Sequence, residues 1–340
     1  MTTKPRVLFR ADASSELGFG HVARVCALVE ETEAHGCEPV LLFGGDPASV
    51  RSWAQDHGLD ADVRDWSVTQ VLQEAAHPRT TAVVVDGPPL AAALVPKLPA
   101  QLRSIVLDDV GRLPYEMSAV VNHNVHAPGL AATYPRAHQR LLGRRYLMLR
   151  RDIRRYMRGS CRPSGQRRLR VVVTFGGSDP PNATSRVLAL VPADRPLELI
   201  VIAGPGFRHH EALQEAADVA RSHGHDVDIR HAPDDPGGLF VSADAAICSA
   251  GGTLGELAYL GCPALAFAIV ADQVAPLRVQ HADGLVAGGH PLDAVGDDLV
   301  HETLRAFLTD DELRASVRRR ALATADSDGA KRVVEEAIAP

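Results

Sequence analysis

Three glycine-bearing stretches carry side chains able to bind anions or move protons. In Gly18-Phe19-Gly20-His21 the glycines permit a tight backbone path and close approach by a ligand. His21, at the start of a helical pattern, can take a proton near neutral pH or hydrogen bond to backbone. Phe175-Gly176-Gly177-Ser178-Asp179-Pro180 offers backbone N–H groups and the Ser178 hydroxyl to a phosphate. Its alternative is a tight turn in which Ser178 or Asp179 caps a helix. The third stretch, Ser249-Ala250-Gly251-Gly252-Thr253-Leu254-Gly255-Glu256, is the most informative. Gly251, Gly252 and Thr253 would present a helix N-terminus to a diphosphate, and Glu256, one turn later, can accept from ribose hydroxyls. An ordinary strand–turn–helix remains the alternative. The Walker lysine is absent, so a P-loop ATPase is excluded.

Carboxylates recur where apolar runs end. Asp12, Asp86, Asp108 and Asp109 each follow such a run, where they can act as a base, hold sugar hydroxyls or cap the next element. His209-His210 and His223 with His225 lack the spacing of a metal ligand set, so no metal and no cofactor is expected. The five cysteines, Cys26, Cys37, Cys161, Cys248 and Cys262, are odd in number and form no CxxC pair. They read as reduced structural thiols of a cytosolic protein.

The elements that must position these groups alternate between apolar runs and helical stretches. Strands are expected at 6–10, 39–43, 81–85, 104–107 and 119–121, with a helix over 21–33. After an Arg-, Gly-, Ser- and Pro-rich stretch the pattern restarts, with strands at 169–175, 197–203, 243–248 and 263–268, while 226–230 precedes a loop. Alternation of this kind predicts α/β architecture with parallel sheets. Both halves open with a basic apolar strand running into a glycine turn, and ligands of such sheets sit at the strands' carboxyl ends. Two Rossmann-like domains facing across a cleft are therefore expected. The N-terminal domain is placed at 1–150, a linker at 151–168, the C-terminal domain at 169–310, and a helix packing back across the domains at 311–340.

Composition narrows the class. Apolar residues make up 46% and charged residues 23% of the 340, the mix of a soluble globular protein, with only 4% aromatic. A net charge of −6 argues against nucleic acid bound on a basic face. The run Arg144, Arg145, Arg150, Arg151, Arg154 and Arg155 is the local exception, either a solvated face or cations near phosphates. The first residues enter a strand pattern without the apolar region of a signal peptide, and no run of about 18 apolar residues suggests a membrane span. A cytoplasmic location is expected.

Taken in order, these motifs resemble the UDP-sugar hydrolase family of pseudaminic acid biosynthesis and its spore-coat polysaccharide relatives. The likeness begins with Arg10, Asp12, Ser14, Gly18, Gly20, His21 and Arg24. It continues through Asp86, Leu107-Asp108-Asp109, Asn122, Asn124, Leu142-Gly143, Tyr146 and Leu149. The glycine stretches at 175–182 and 249–256, Gln273 and Asp328-Gly329-Ala330 complete it. The resemblance implies a glycosyltransferase-B (GT-B) fold related to the lipid-II-forming N-acetylglucosaminyltransferase. It also implies uridine diphosphate in the C-terminal half and a sugar facing the N-terminal half, with His21 near the anomeric carbon. Gly87-Pro88-Pro89 stands where the family carries a tyrosine, and Asp272 where it carries an asparagine.

The expected reaction is metal-independent, inverting cleavage of the anomeric C–O bond of a UDP-linked sugar, with water activated by His21 and oriented by Asp272. The nucleotide is assigned to Gly177, Ser178, Ser249, Gly251, Gly252, Thr253, Glu256 and Gln273. The sugar is assigned to Asp12, Gly18, Gly20, Arg24 and Asp86. Transfer to a small-molecule or glycan acceptor is the alternative, because water and acceptor occupy the same place. A sugar-nucleotide sensor with a degenerate site is a third reading.

Overall fold

The computed structural model describes residues 4–14, 18–111, 113–161 and 168–338. It divides into two units, Met1–Arg151 with Asp326–Pro340, and Asp152–Ala325. In the first unit β1 (Arg6–Ala13), α1 (Gly20–Ala34), β2 (Glu38–Gly45), α2 (Pro47–Asp56), β3 (Ala61–Val63), α3 (Val68–Ala75), β4 (Thr80–Asp86), α4 (Pro88–Leu94), β5 (Arg103–Leu107), β6 (Met117–Asn122) and β7 (Ala137–Leu142) follow one another. Their seven strands form one sheet in the order β3-β2-β1-β4-β5-β6-β7. Every pairing in it is parallel. β1 is buried along nearly its whole length, as expected of an apolar run covered on both faces.

The second unit continues with α5 (Arg151–Arg154), β8 (Arg170–Thr174), α6 (Ala183–Ala189), β9 (Glu198–Ala203), α7 (His210–Ser222), β10 (Asp226–His231), α8 (Pro236–Ser242), β11 (Ala245–Ser249), α9 (Thr253–Leu260), β12 (Ala264–Ala268), α10 (Val274–Ala282), β13 (Ala287–Pro291), α11 (Asp297–Thr309) and α12 (Asp311–Thr324). Its six strands are parallel, in the order β10-β9-β8-β11-β12-β13. Both sheets are doubly wound. The direction of winding reverses between β1 and β4 in the first and between β8 and β11 in the second. In open α/β sheets such reversals mark where ligands bind.

Of the expected linker, residues 162–167 lie outside the described residues. Its preceding part is packed into the second unit. The Gly159 and Cys161 amides donate to Tyr259 O and Leu260 O, both at 2.9 Å, and Arg318 donates to the Cys161 carbonyl at 2.7 Å. The expected C-terminal helix is broken. α12 ends at Thr324, and an aspartate- and glycine-bearing turn intervenes in which Asp326 accepts from the Asp328 amide at 3.0 Å. α13 (Gly329–Val333) and a π-helical turn, Val334–Ile338, follow. Ala330, Val333, Val334, Ala337 and Ile338 join the core of the first unit with α1. Arg332 donates to the Arg145 carbonyl at 2.7 Å and Tyr146 to Glu336 at 3.0 Å, fixing that return.

Gly329 makes the return possible, because a Cβ there would collide with the Leu147 backbone. Gly329→Ala is expected to lower the unfolding free energy by about 1–3 kcal/mol, read from urea denaturation.

Candidate active site

The glycine turn after β1 places His21 at the second position of α1. Gly18 bridges back to Ser14, its amide donating to Ser14 O at 2.8 Å. Phe19 caps α1 without a side-chain hydrogen bond, and Gly20 opens it. A Cβ on Gly20 would meet nothing within 4 Å, so packing does not demand a glycine there. Arg24 lies one turn after His21, on the same helix face. Asp86 ends β4, the neighbour of β1 across the point where the winding reverses.

These residues meet. His21 Nδ1 lies 2.7 Å from Asp86 Oδ1. Arg24 grips Asp86 with two donors, Nε to Oδ2 at 2.6 Å and Nη2 to Oδ1 at 2.5 Å. Its third nitrogen, Nη1, reaches Asp109 Oδ1 at 2.9 Å. Asn124 Nδ2 donates to the same oxygen at 2.9 Å and to Asn122 Oδ1 at 3.1 Å. Behind them Asn122 donates to Tyr134 Oη at 3.0 Å, and Tyr134 to Asp108 Oδ2 at 2.7 Å. The chain of contacts thus runs along the carboxyl ends of β4, β5 and β6.

The geometry fixes the tautomer of His21. A carboxylate oxygen at 2.7 Å requires a proton on Nδ1, because two lone pairs would repel. Nε2 is left as the base, and the His21 side chain is 27% exposed while that of Asp86 is fully covered. Burial by itself would lower the His21 pKa, but the charge and hydrogen bond of Asp86, helped by Asp109, outweigh burial and Arg24 and raise it above 6.5. The folded state therefore favours the protonated ring. That stabilisation is complete below the ordinary value and is lost as pH rises through the raised one. Burial would push the carboxyl of Asp86 up, yet Arg24 and then His21 hold it below its usual range. Burial would raise Asp109 too, yet Arg24, helped by His123 and His21, holds its carboxyl well below the usual range. His123 goes the other way: burial, then the Arg24 charge, bring it to about 4, so it is neutral at physiological pH.

In the second unit the glycine stretches follow β8 and β11, the strands flanking the reversal. The Asp179 carboxylate accepts from the Ala183 and Thr184 amides, both at 2.8 Å, and so occupies the start of α6 itself. Ser178 is buried beside it. α9 differs, because its N-cap, Gly252, brings no side chain. A Cβ on Gly251 would stand 3.7 Å from Gln273 Nε2 and 3.8 Å from Ser249 Oγ, and one on Gly176 would stand 3.9 Å from the same hydroxyl. Gln273 accepts from the Ile269 amide at 3.0 Å, which turns its NH₂ group toward Gly251. The Gly206 amide donates to Gly177 O at 2.7 Å, tying down the turn. Gly176, Gly177, Ser249, Gly251 and Gln273 are therefore brought together at the open start of α9, where backbone N–H groups can meet an anion. Thr253 and Glu256 lie in its first turn.

Asp12 pairs with the buried Arg10 and sits over Gly44, where no side chain would fit. Arg24 is buried, with its donors turned to aspartates rather than outward. Asp272 is an exposed residue of the 3-10 turn Ala271–Gln273 in the second unit, whereas His21 belongs to the first. Arg155 pairs with Asp235 at 2.6 Å and Arg145 with Glu336 at 3.5 Å, so these two members of the arginine run face carboxylates. All five cysteines are buried, and none forms a disulfide with another described residue. Among the described residues no cluster of histidine, cysteine, aspartate and glutamate is able to hold a metal, and no helix is long and apolar enough to cross a membrane. Asp109 was among the strand-end carboxylates singled out in the sequence, whereas His123 and the coupling of Arg24 to Asp86 and Asp109 were not foreseen. The signals were the three-residue spacing of His21 and Arg24 and the Asn122-His123-Asn124 run at a strand end.

Two doubly wound parallel sheets, each with a glycine turn at its reversal point, define a GT-B fold. Comparison with solved structures agrees. MurG of Acinetobacter baumannii superposes with a TM-score of 0.69 at 15% identity, covering 98% of this chain and 99% of that one. MnaA of S. aureus, solved with UDP, gives 0.66 at 12% identity over 97% and 95%. A glycosyltransferase from Rickettsia africae gives 0.61 at 11% identity over 98% and 97%. Likeness at these identities is one of fold. No family model matches the chain. An uncharacterised protein of Methanocaldococcus jannaschii is 23% identical over 265 residues, 76% of this chain and 54% of its own length, so the chain spans about half of that relative.

The coupling of His21 to Asp86 can be read without a substrate. Followed by NMR, the His21 ring is expected to titrate above pH 6.5. In Asp86→Asn its midpoint should fall, because burial and Arg24 then act on the ring with only Asp109 opposing them.

Proposed function

We propose that the protein is a nucleotide-sugar enzyme that breaks the bond between a sugar's anomeric carbon and a nucleoside diphosphate. The observation that carries this reading is the 2.7 Å contact between His21 Nδ1 and the covered carboxylate of Asp86, at the reversal point of the first sheet. A histidine so held has one nitrogen fixed as donor and the other free as base, the division of labour of a hydroxyl-activating dyad. The nucleophile's proton passes to Nε2 while its oxygen attacks the anomeric carbon from the face opposite the diphosphate, inverting that centre. The C–O bond breaks and its electron pair leaves on the diphosphate oxygen. Asp86 stabilises the imidazolium. The open N-terminus of α9, with Ser249, Gly251, Gly252, Thr253 and Gln273, would take the growing negative charge. Glu256 is assigned to the ribose, Gly177 and Ser178 to the second flank of the diphosphate, and Asp12, Gly18, Gly20 and Arg24 to shaping the sugar's surroundings. Asp272 is retained as a residue that orients the nucleophile.

Transfer to an acceptor is the reading favoured by the solved relatives, which include a glycosyltransferase and a protein bound to UDP. Hydrolysis by water is the second reading, favoured by the ordered motifs from Arg10 to Ala330. A panel of UDP-sugars incubated with the protein alone separates them. Free sugar appearing without an acceptor supports water, and an intact donor until an acceptor is added supports transfer. A UDP-sugar returned with altered stereochemistry would reject both.

His21→Ala should lower turnover about 10²–10⁴-fold with UDP affinity unchanged. Turnover equal to wild type would remove His21 from the chemistry. Gly252→Ala places a Cβ where nothing lies within 4 Å. It should leave stability within about 0.5 kcal/mol of wild type, yet weaken UDP binding about tenfold by calorimetry.

A further inference from the structure

Asp109 has one oxygen committed and one open. Oδ1 accepts from both Arg24 Nη1 and Asn124 Nδ2 at 2.9 Å. Oδ2 accepts from no described residue, and the side chain is 23% exposed. The charges that reach His21 are those of Asp86, Arg24 and Asp109. All three are fixed, so with His21 neutral this surrounding carries one net negative charge. The Arg24 charge is already shared between two carboxylates, because Nε, Nη1 and Nη2 each donate to Asp86 or Asp109. His123, beside Arg24 and Asp109, adds an uncharged ring.

We infer that Asp109 is a further substrate-contacting residue, whose free oxygen meets the sugar beside His21 and favours positive over negative charge there. The inference rests on the reading of anomeric-bond cleavage. When that bond loosens, positive charge spreads over the anomeric carbon and the ring oxygen. A fixed carboxylate facing it lowers the barrier with no rearrangement. The same oxygen accepts hydrogen bonds from sugar hydroxyls or from an ammonium, and repels a carboxylate or phosphate.

Three ring compounds of like size separate charge from shape. With UDP saturating at about pH 7, isofagomine, a ring amine, is a cation, anhydroglucitol is neutral and glucuronate is an anion. In calorimetric titrations of the full chain the cation should bind about tenfold tighter than the neutral ring, and the anion weakest. Asp109→Asn keeps an oxygen for Arg24 and Asn124 and replaces the free oxygen by NH₂. It should shrink the preference to under about threefold while leaving UDP affinity unchanged. Binding without regard to charge, no binding of any of the three beside UDP, or an unaltered preference in Asp109→Asn would each overturn the inference. The ordering in the unsubstituted protein is a sufficient test should the variant not fold. If UDP itself does not bind, the nucleotide-sugar reading fails, and this inference with it.

Discussion

A buried carboxylate, Asp86, and a half-buried one, Asp109, at the ends of neighbouring parallel strands are costly unless a cation with matching geometry meets them, and Arg24 meets both. Its guanidinium is planar and carries donors on three nitrogens, so one side chain can clasp Asp86 at two points and still reach Asp109. A lysine in its place could not hold that fork. The clasp fixes where the Asp86 carboxylate points and, through it, the ring of His21. The site's precision therefore depends on α1 being held at a fixed height on the sheet. The core contacts of Val22, Val25 and Val29, and the C-terminal turn packed with them, supply that height.

The same sheet logic operates twice. Each unit reverses its winding beside its first strand, β1 or β8, and there the chain carries glycines and polar groups instead of the valines and leucines that fill both sheets. The glycines fall into two kinds. Gly44, Gly204 and Gly329 are demanded by their own surroundings, where a Cβ would strike Asp12, Gly177 and Leu147. Gly20 and Gly252 face open space, and nothing in the fold requires them. Both open helices whose N-caps carry no capping side chain. A glycine that packing does not demand, at an uncapped helix start, keeps backbone N–H groups accessible to something outside the chain.

The central strands were legible because burial on both faces forces continuous apolar runs, such as Arg6–Arg10 and Thr81–Val85. The sheet edges were not. β7 reads Ala-His-Gln-Arg-Leu-Leu with an exposed middle, β13 holds two adjacent glycines, and β3 has three residues. Each lacks the apolar signal that a strand paired on both sides must have. The glycine motifs pointed to the right strand ends, and His21 and Asp86 were both singled out, but as base and sugar ligand. Their pairing depends on β1 and β4 being sheet neighbours, a fact of topology that spacing along the chain does not carry. Asp179 illustrates the opposite case, a residue of a ligand-like motif whose carboxylate is consumed by its own helix.

Gly87-Pro88-Pro89 bears on what the site accepts. Gly87 has φ of +104°, a conformation that a side chain strains to adopt, and Pro88 begins α4 directly after it. A Cβ on Gly87 would meet nothing within 4 Å. The strand end bearing Asp86 is thus left open on that side, while the clasp of Arg24 and the orientation of His21 are intact. Degeneration of the site would be expected to loosen the charged network first, since an unpaired buried carboxylate is the least tolerable part. Here that network is intact, beside a strand end where Gly87 leaves open space.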